Sequence, residues 1–326
     1  MEQVLYTSDQ VTQMIKSGKK LILAGDESQL SKLPAGEWIG GTIPYFMGDK
    51  GGVFTKEYIY VNDITETGKG YKFTRYDESN IQKVTTDVYQ NGFSYIILPA
   101  LQPVHISFGL HAPSFENAFM NPLMGWVSGV AFEEFGTKAP KVYFKGEESV
   151  SEAVVVHVDL PDHKIGRMEI ANLYYQGDGD EITFFEDGFD TNRCMINGEE
   201  ANLYEYLTKH DIPEGLPLVA NYFGARINVG HIWDREQKRV NAFAPVFKDR
   251  VYKVAKNVTD YPGTFRAQLS NVDTNNIQSS CNCLMNYFNF GLENKQIGSV
   301  HGPFTFGEIG YQLLNQTFVY LMIEDQ

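Results

Sequence analysis

"GPFTFGEIGYQLLNQTFVYL", residues 302–321, closes the chain with a strand-like run and places one carboxylate, Glu308, among aromatic and aliphatic residues. Burial of an ionised carboxylate without a partner is strongly unfavourable. Glu308 therefore either is paired and holds two elements together, or faces a cavity in which it meets a ligand. Arg226, in the apolar segment 221–230, is the cation that we consider as its partner.

The composition bounds the class of protein. The chain has 326 residues, of which 43% are hydrophobic, so it can bury the core of one large or two medium domains. Lys and Arg number 27 against 41 Asp and Glu, which gives a net charge of −14. This acidic balance, with no basic cluster, disfavours nucleic acids and anionic membranes as partners.

The termini and cysteines indicate a compartment. We see no secretory signal at the N-terminus and no apolar run of the roughly 18 residues that a transmembrane helix needs. Three cysteines are too few for a disulfide framework. We therefore expect a cytoplasmic protein.

The first half of the chain predicts mixed helices and strands. Ser8 is the expected N-cap of a helix that ends near Lys16, and the Gly-rich turn 48–52 indicates a hairpin. Residues 77–92 predict a second helix, and 93–101 predict a central strand that is apolar on both faces. Residues 113–136 form the longest apolar stretch and predict two packed core helices.

The second half is rich in predicted strands with closely spaced turns. Residues 199–212 predict its helix, whereas 264–270 predict a strand. The change in pattern near residues 140–150 places a boundary between two packed halves, 1–148 and 149–326. Without strict alternation of strand and helix, the order predicts an α+β protein with mixed, largely antiparallel sheets layered with helices.

Several residues are candidates for chemistry. Cys281 and Cys283 lie upstream of His301, so a cysteine-dependent hydrolase with Cys281 and His301 is one alternative. The other interpretation of these cysteines is two small apolar residues at a strand-to-helix turn. His105, His111 or His301 could serve as the axial ligand of a haem, which is a further alternative.

Other motif classes are absent from the sequence. It has no P-loop, no dinucleotide fingerprint and no GxSxG elbow, and the cysteines and histidines do not supply four zinc ligands in a typical spacing. We therefore predict neither a catalytic residue nor a metal, and no cofactor other than the haem alternative.

The C-terminal half carries a family resemblance. The stretch 302–321, with the cysteine segment 279–283 before it, resembles the C-terminal half of the FIST family of sensory domains. The matching positions are Cys281, Gly302, Phe304, Gly307, Glu308, Gly310, Asn315 and Thr317. Residues 195–207 also resemble a family segment, through Gly198, Ala201 and Tyr204. Leu284 and Leu314 stand where the family often has Arg and His.

The resemblance implies a sensory function. FIST domains are thought to bind small molecules such as amino acids, and haem is reported for some members. We expect a stand-alone protein that binds a small molecule, an amino acid or a related metabolite, and signals through a partner protein. The predicted ligand-binding residues are Glu308, Cys281, Asn315 and Arg226, in a cleft between the two halves.

Overall fold

The structure, a computed structural model, describes residues 3–222 and 225–326. Its α-helices are α1 (Ser8–Lys16), α2 (Glu27–Leu30), α3 (Pro103–His111), α4 (Leu203–Lys209), α5 (Tyr261–Gln268) and α6 (Leu284–Asn289). Short 3₁₀ helices span Ile81–Thr85, Ala112–Ser114, Phe132–Glu134 and Thr274–Asn276.

Most of the regular secondary structure is β-strand. The strands of the first half are β1 (Leu5–Tyr6), β2 (Leu21–Gly25), β3 (Trp38–Thr42), β4 (Tyr45–Gly48), β5 (Gly51–Phe54), β6 (Ile59–Asp63), β7 (Gly70–Tyr76), β8 (Gly92–Pro99), β9 (Leu123–Ser128), β10 (Val142–Phe144) and β11 (Glu147–Ser149). Those that follow are β12 (Ala153–Asp159), β13 (Lys164–Ala171), β14 (Ile182–Phe184), β15 (Gly188–Asp190), β16 (Arg193–Ile196), β17 (Glu199–Asn202), β18 (Leu218–Tyr222), β19 (Ala225–Val229), β20 (His231–Asp234), β21 (Arg239–Val246), β22 (Tyr252–Val254), β23 (Ile277–Cys283), β24 (Gly302–Thr305), β25 (Glu308–Gly310), β26 (Gln312–Leu314) and β27 (Phe318–Asp325).

The described strands form four six-stranded sheets and one of three strands. Their strand orders are β1-β6-β2-β3-β10-β11 in sheet 1, β26-β25-β9-β8-β12-β7 in sheet 2, β13-β27-β23-β24-β4-β5 in sheet 3, β17-β16-β14-β22-β18-β19 in sheet 4 and β15-β21-β20 in sheet 5. Sheets 2 and 3 each combine strands from residues 1–148 with strands from 149–326. The predicted α+β class, with mixed and largely antiparallel sheets, is confirmed.

Sheets 1 and 2 pack face to face, with a helix layer outside each. In β2, Leu21 and Leu23 belong to the hydrophobic cluster that includes the buried side chains of α1, whereas Ile22 points into the core between the sheets. In β8, Ile97 points into the same core and Ile96 lies in the cluster of α3. Both faces of these strands are therefore buried, which is why their sequences are continuous apolar runs.

Three strand pairs are parallel within the described ranges: β2 with β3, β8 with β9, and β23 with β24. A helix connects the two strands of each pair, as is usual for a parallel crossover. The predicted central strand is β8, which lies between β9 and β12. The repetition of this strand-helix-strand unit was not visible as a sequence repeat.

The two core helices predicted for residues 113–136 were wrong. This stretch forms β9, flanked by two short 3₁₀ turns. Every residue of β9 is buried. A short apolar run is compatible with a buried helix or a buried strand by periodicity alone, and the parallel partner β8 decides in favour of the strand.

The helix predicted for residues 77–92 was also wrong, because only Ile81–Thr85 form a 3₁₀ helix there. Val84, Thr85 and Thr86 are branched at Cβ and lose side-chain freedom in an α-helix.

Residues 264–270, predicted as a strand, largely belong to α5. The Asp260 side chain accepts a hydrogen bond of 2.9 Å from the Gly263 N–H, and Pro262 occupies the first turn.

The N-cap of α1 is Thr7 rather than the predicted Ser8. The Thr7 N–H donates to the Gln10 side chain at 2.9 Å, and the Gln10 N–H donates to the Thr7 hydroxyl at 3.4 Å. This reciprocal pair is a capping box.

Candidate functional site

Glu308 begins β25 and is fully buried. Its strand pairs with β9 on one side and β26 on the other. One carboxyl oxygen, Oε2, accepts hydrogen bonds from the Thr317 N–H at 3.0 Å and the Thr317 hydroxyl at 2.8 Å. The other oxygen, Oε1, has no hydrogen-bond partner among the described residues. Glu308 therefore ties β25 to the residue that precedes β27.

The burial of Glu308 changes its charge state. Burial raises the pKa of its carboxyl group to about 8, although the Thr317 hydrogen bonds and the nearby Cys283 thiol act in the opposite direction. The carboxyl group is therefore mostly protonated at neutral pH. A protonated carboxyl group needs no cation, which resolves why one acidic residue lies among aromatics.

A pocket lies beside this carboxyl group, at the carboxyl ends of β23 and β24. Its floor contains Cys283 and Thr305, which are register partners at the ends of these parallel strands. The remaining lining residues are apolar: Phe132, Phe135, Ile232, Phe243, Leu284, Met285, Phe288 and Phe306. The cavity volume of the pocket is about 50 Å³. Carboxyl ends of parallel strands are frequent ligand sites.

Aromatic pairs from the two halves of the chain form its wall. The ring of Phe132 lies 5.2 Å from that of Phe288, and the ring of Phe135 lies 5.7 Å from that of Phe306. The Phe132 N–H donates a 3.0 Å hydrogen bond to the Tyr45 hydroxyl, which fixes this segment over the pocket. The pocket is thus closed by residues distant in sequence.

The two thiols near Glu308 are buried. Cys281 donates a hydrogen bond to the Gly125 carbonyl at 3.3 Å, and Cys283 lines the pocket floor. Burial, and then the neighbouring Glu308, raise the pKa of both thiols well above the usual value. Both groups are therefore protonated at neutral pH, and a protonated thiol is a poor nucleophile.

The pairing of Cys281 with His301 that the hydrolase alternative requires is not formed. His301 Nε2 lies 3.3 Å from the Asp49 carboxylate, and its carbonyl accepts a hydrogen bond from Ser280. Neighbouring side chains of a strand point to opposite faces, so Ser280 faces His301 and Cys281 faces away from it. The interpretation of the cysteines as small residues at a strand-to-helix turn fits, because β23 ends at Cys283 and α6 begins at Leu284.

The predicted ion pair between Glu308 and Arg226 was wrong. The Arg226 guanidinium donates to the Asn172 carbonyl at 2.9 Å and lies 3.6 Å from the centre of the Tyr175 ring. Within residues 3–222 and 225–326, it forms no ion pair with Glu308. Arg226 belongs to β19, at the edge of sheet 4, whereas Glu308 belongs to sheet 2.

The hydrogen bonds of Asn315 stabilise the fold. Its side-chain oxygen accepts from the Gly230 N–H at 3.2 Å, and its carbonyl accepts from the Asn228 side chain at 3.1 Å. These buried bonds join the segment before β27 to β19 of sheet 4 and to Gly230, which follows β19. Of the four predicted site residues, the structure brings Cys281 near Glu308 and leaves Arg226 elsewhere.

The histidines considered as haem ligands lie apart from this pocket. His105 is buried, its Nδ1 accepts from the Leu101 N–H at 3.1 Å, and burial lowers its pKa to about 4. His111 is exposed at the end of α3. Across the described ranges, no group of three or more His, Cys, Asp or Glu residues is arranged to hold a metal ion.

Sequence reasoning missed three elements of the site, which are Thr305, Cys283 as the floor residue and the aromatic wall, and it named Thr317 only as a position of the family resemblance. The spacing of two between Cys281 and Cys283 places both on one strand face and could have pointed to Cys283. No local sequence pattern predicts the contact of Phe132 with Phe288.

The comparison with known families matches nearly the whole chain. A family model described as a family of unknown function, DUF6976, matches residues 6–324. The chain belongs to the DUF6976 family. No curated protein matches it. Nothing among the described helices of this DUF6976 protein is both long and apolar enough to cross a membrane.

Proposed function

We propose that this DUF6976 protein is a cytoplasmic sensor that binds a small, uncharged molecule in the aromatic pocket. The observation that carries the proposal is the lining of the pocket, in which Cys283 and Thr305 supply polar groups and no side chain is charged. Ligand pockets are typically apolar with a few placed polar groups. The three free cysteines agree with a reducing compartment.

The lining favours an aromatic ligand. Phenylalanine rings interact with other rings in stacked or edge-on geometry, and five of the ten lining residues are Phe. A free amino acid would bring two formal charges into a site without a counter-charge, which desolvation opposes. We therefore propose a ring compound with at most one hydrogen-bonding group, rather than the amino acid expected from the sequence.

Glu308 supports the floor of this pocket. It holds Thr317 through two hydrogen bonds, and the Thr317 carbonyl accepts from the Cys283 N–H at 3.3 Å. Glu308 is thus a positioning residue beneath the ligand site. Its Oε1 has no hydrogen-bond partner among the described residues, and the Cys283 thiol of the floor lies close enough to lower the pKa of the Glu308 carboxyl group.

The construction of the pocket supports a role in signalling. A ligand would contact Phe132 and Phe135 from the first half together with Phe288 and Phe306 from the second. Phe132 is 54% exposed and Phe288 is 42% exposed, so a bound ligand would alter the rings that a partner protein meets. The resemblance of the C-terminal stretch to FIST sensory domains agrees with this proposal.

Thermal unfolding tests the proposal. We would measure melting of the full chain with indole, p-cresol and benzyl alcohol, and with a set of free amino acids. A ligand at about one hundred times its Kd adds about 2.7 kcal/mol to the free energy of unfolding. We expect stabilisation by at least one ring compound and none by the amino acids.

Two variants test whether the ligand that stabilises the protein binds in the aromatic pocket. Phe288→Leu should abolish the stabilisation because it removes a pocket ring, whereas Phe185→Leu should keep it. Phe185 is a matched control because it is 43% exposed and stacks on Arg193 in another part of the molecule. Stabilisation by amino acids alone, or equal loss in both variants, would contradict the proposed site.

A further inference from the structure

One edge of sheet 3 is formed by β13, which has a partner strand on only one side. β13 pairs with β27 at all 8 of its residues, Lys164–Ala171, and no strand in the described ranges pairs with its other edge. Among the strands that end the described sheets it is the longest. The unpaired N–H and C=O groups of a long edge strand are a template for another strand.

Two of the features that usually protect an edge are missing from β13. It contains no Pro, and its register with β27 continues without a bulge. Its exposed charged side chains, Arg167 and Glu169, have opposite signs and lie on the same face. Arg167 lies 3.6 Å from Glu324, whereas Glu169 forms no ion pair with any residue that the structure describes. This edge therefore presents both a cation and a free carboxylate.

Apolar side chains are exposed beside the same edge. Ile165 of β13 is 41% exposed, and Phe119 and Met120, in the loop before β9, are 54% and 76% exposed. The Phe119 ring lies 5.6 Å from the ring of Tyr311. Burial, and then the nearby charge of Glu169, raise the pKa of the Tyr311 hydroxyl, so this ring pair lies close to β13. Clustered exposed apolar side chains mark interaction sites.

Symmetry restricts how two copies of β13 pair. Opposite residues of an antiparallel pair direct their N–H and C=O groups alike, and these directions alternate along each strand. A two-fold axis must therefore pass between one residue and its own copy, never between successive residues. The positions near the middle of β13 that can lie at this axis are Gly166, Arg167, Met168 and Glu169.

Charge distinguishes these positions. An axis at Arg167 or at Glu169 places two like charges opposite each other, which is destabilising. An axis at Gly166 leaves Glu169 outside the paired segment. An axis at Met168 places Arg167 of each copy opposite Glu169 of the other, so two pairs of opposite charges form.

We propose that the protein forms a two-fold symmetric dimer in which β13 pairs antiparallel with β13 of a second copy, with Met168 at the axis. The exposed Ile165 then lies opposite Ala171, and the two copies of sheet 3 form one continuous sheet. The net charge of −14 on each copy opposes association. Salt at about 0.15 M screens exposed charges beyond about 8 Å, whereas the Cα atoms of opposite residues lie within about 5.5 Å.

The other long edge strand, β7, lacks this complementarity. It spans Gly70–Tyr76 at the end of sheet 2 and contains Lys72 and Arg75 but no Asp or Glu. Pairing of two copies of β7 would not bring opposite charges of the two strands together. The edge of β7 is therefore a control for the location of the dimer contact.

Sedimentation equilibrium of the full chain in about 0.15 M NaCl tests this proposal. We expect the mass to reach twice the 36.9 kDa of the single chain as the protein concentration rises from about 1 μM to about 100 μM. Hydrogen exchange locates the contact. Amides within residues 165–171 should exchange more slowly at the higher concentration, whereas those of β7 should not change.

Charge exchange tests the register. Glu169→Arg should weaken the dimer at least about tenfold, because it places like charges opposite each other. Glu57→Arg makes the same change in net charge at an exposed residue that forms no ion pair with the described residues, and should change the Kd by less than about threefold. The double variant Arg167→Glu/Glu169→Arg exchanges the two charges and should restore the affinity, which a misfolded chain would not do.

Four results overturn the proposal. The chain stays a monomer at every concentration, or Glu169→Arg and Glu57→Arg change the Kd equally. Alternatively, the double variant fails to restore the dimer, or the protection from hydrogen exchange appears in β7 instead of β13.

Discussion

Replacing Glu308 by Gln tests whether the buried carboxyl group is protonated in the folded protein. Gln has nearly the same shape, and its side-chain oxygen can accept both Thr317 hydrogen bonds that Oε2 now accepts. Glu308→Gln therefore imitates the neutral carboxyl group but cannot ionise. The exposed Glu57 provides the same chemical change as a control.

The magnitude follows from the difference between the folded and unfolded pKa. Burial raises the pKa of Glu308 from 4.5 to about 8. Between these values the folded state binds more protons than the unfolded state, so stability falls as pH rises. One pH unit corresponds to about 1.4 kcal/mol, so we expect a loss of about 4 kcal/mol between about pH 5 and pH 8.5. The loss is complete above the folded pKa.

Urea unfolding across this pH range measures the effect as a difference. The wild type and Glu308→Gln should have nearly equal free energies of unfolding at about pH 5, and the variant should be more stable by about 4 kcal/mol at about pH 8.5. Every other titrating group is common to both proteins, so it cancels in the difference. Parallel curves for the two proteins, or a Glu57→Gln variant with the same divergence, would refute the reasoning.

Three further outcomes are expected. Gly41→Ala should destabilise the protein by about 1–3 kcal/mol in urea, because an added Cβ would lie 2.7 Å from the Trp126 ring between sheets 1 and 2; unchanged stability would contradict that packing. Cys281 and Cys283 should react with iodoacetamide at about pH 7.5 much more slowly in the folded protein than in urea, since both thiols are buried and protonated; rapid native labelling, read by mass spectrometry, would reopen the hydrolase alternative. Burial lowers the pKa of His157 to about 4, so this residue binds more protons in the unfolded state between about pH 4 and 6.5 and should contribute a rise of about 3 kcal/mol in stability across that range; His157→Gln should remove this contribution from the slope, and an unaltered slope would disprove it.

Local patterns were sufficient for much of the secondary structure. The strand 93–101 was predictable because a run that is apolar on both faces matches an inner strand, and β8 occupies that position. The stretch 113–136 was not, because its apolar run is equally compatible with a helix. Only the pairing of β9 with β8 distinguishes the two, and that contact joins residues about thirty positions apart.

The candidate site was likewise only partly predictable from the sequence. Glu308 was identified from its apolar surroundings, since a carboxylate there needs an explanation whatever the fold. Its hydrogen-bond partner Thr317 was not identified, because Thr317 reaches Glu308 only through the turn between β26 and β27. The predicted partner Arg226 was attractive as a cation, but ion pairing became unnecessary once burial made the carboxyl group neutral.

The sequence by itself determined the α+β class, the inner strands and the burial of Glu308, because each of these depends on hydrophobicity and periodicity within a short window. The tertiary structure decided the aromatic pocket. Segments that lie more than one hundred residues apart meet in the fold, such as Phe132 with Phe288 in the pocket and Asn62 with Gln278 elsewhere. No local pattern encodes such contacts, because the packing of whole sheets brings these side chains together.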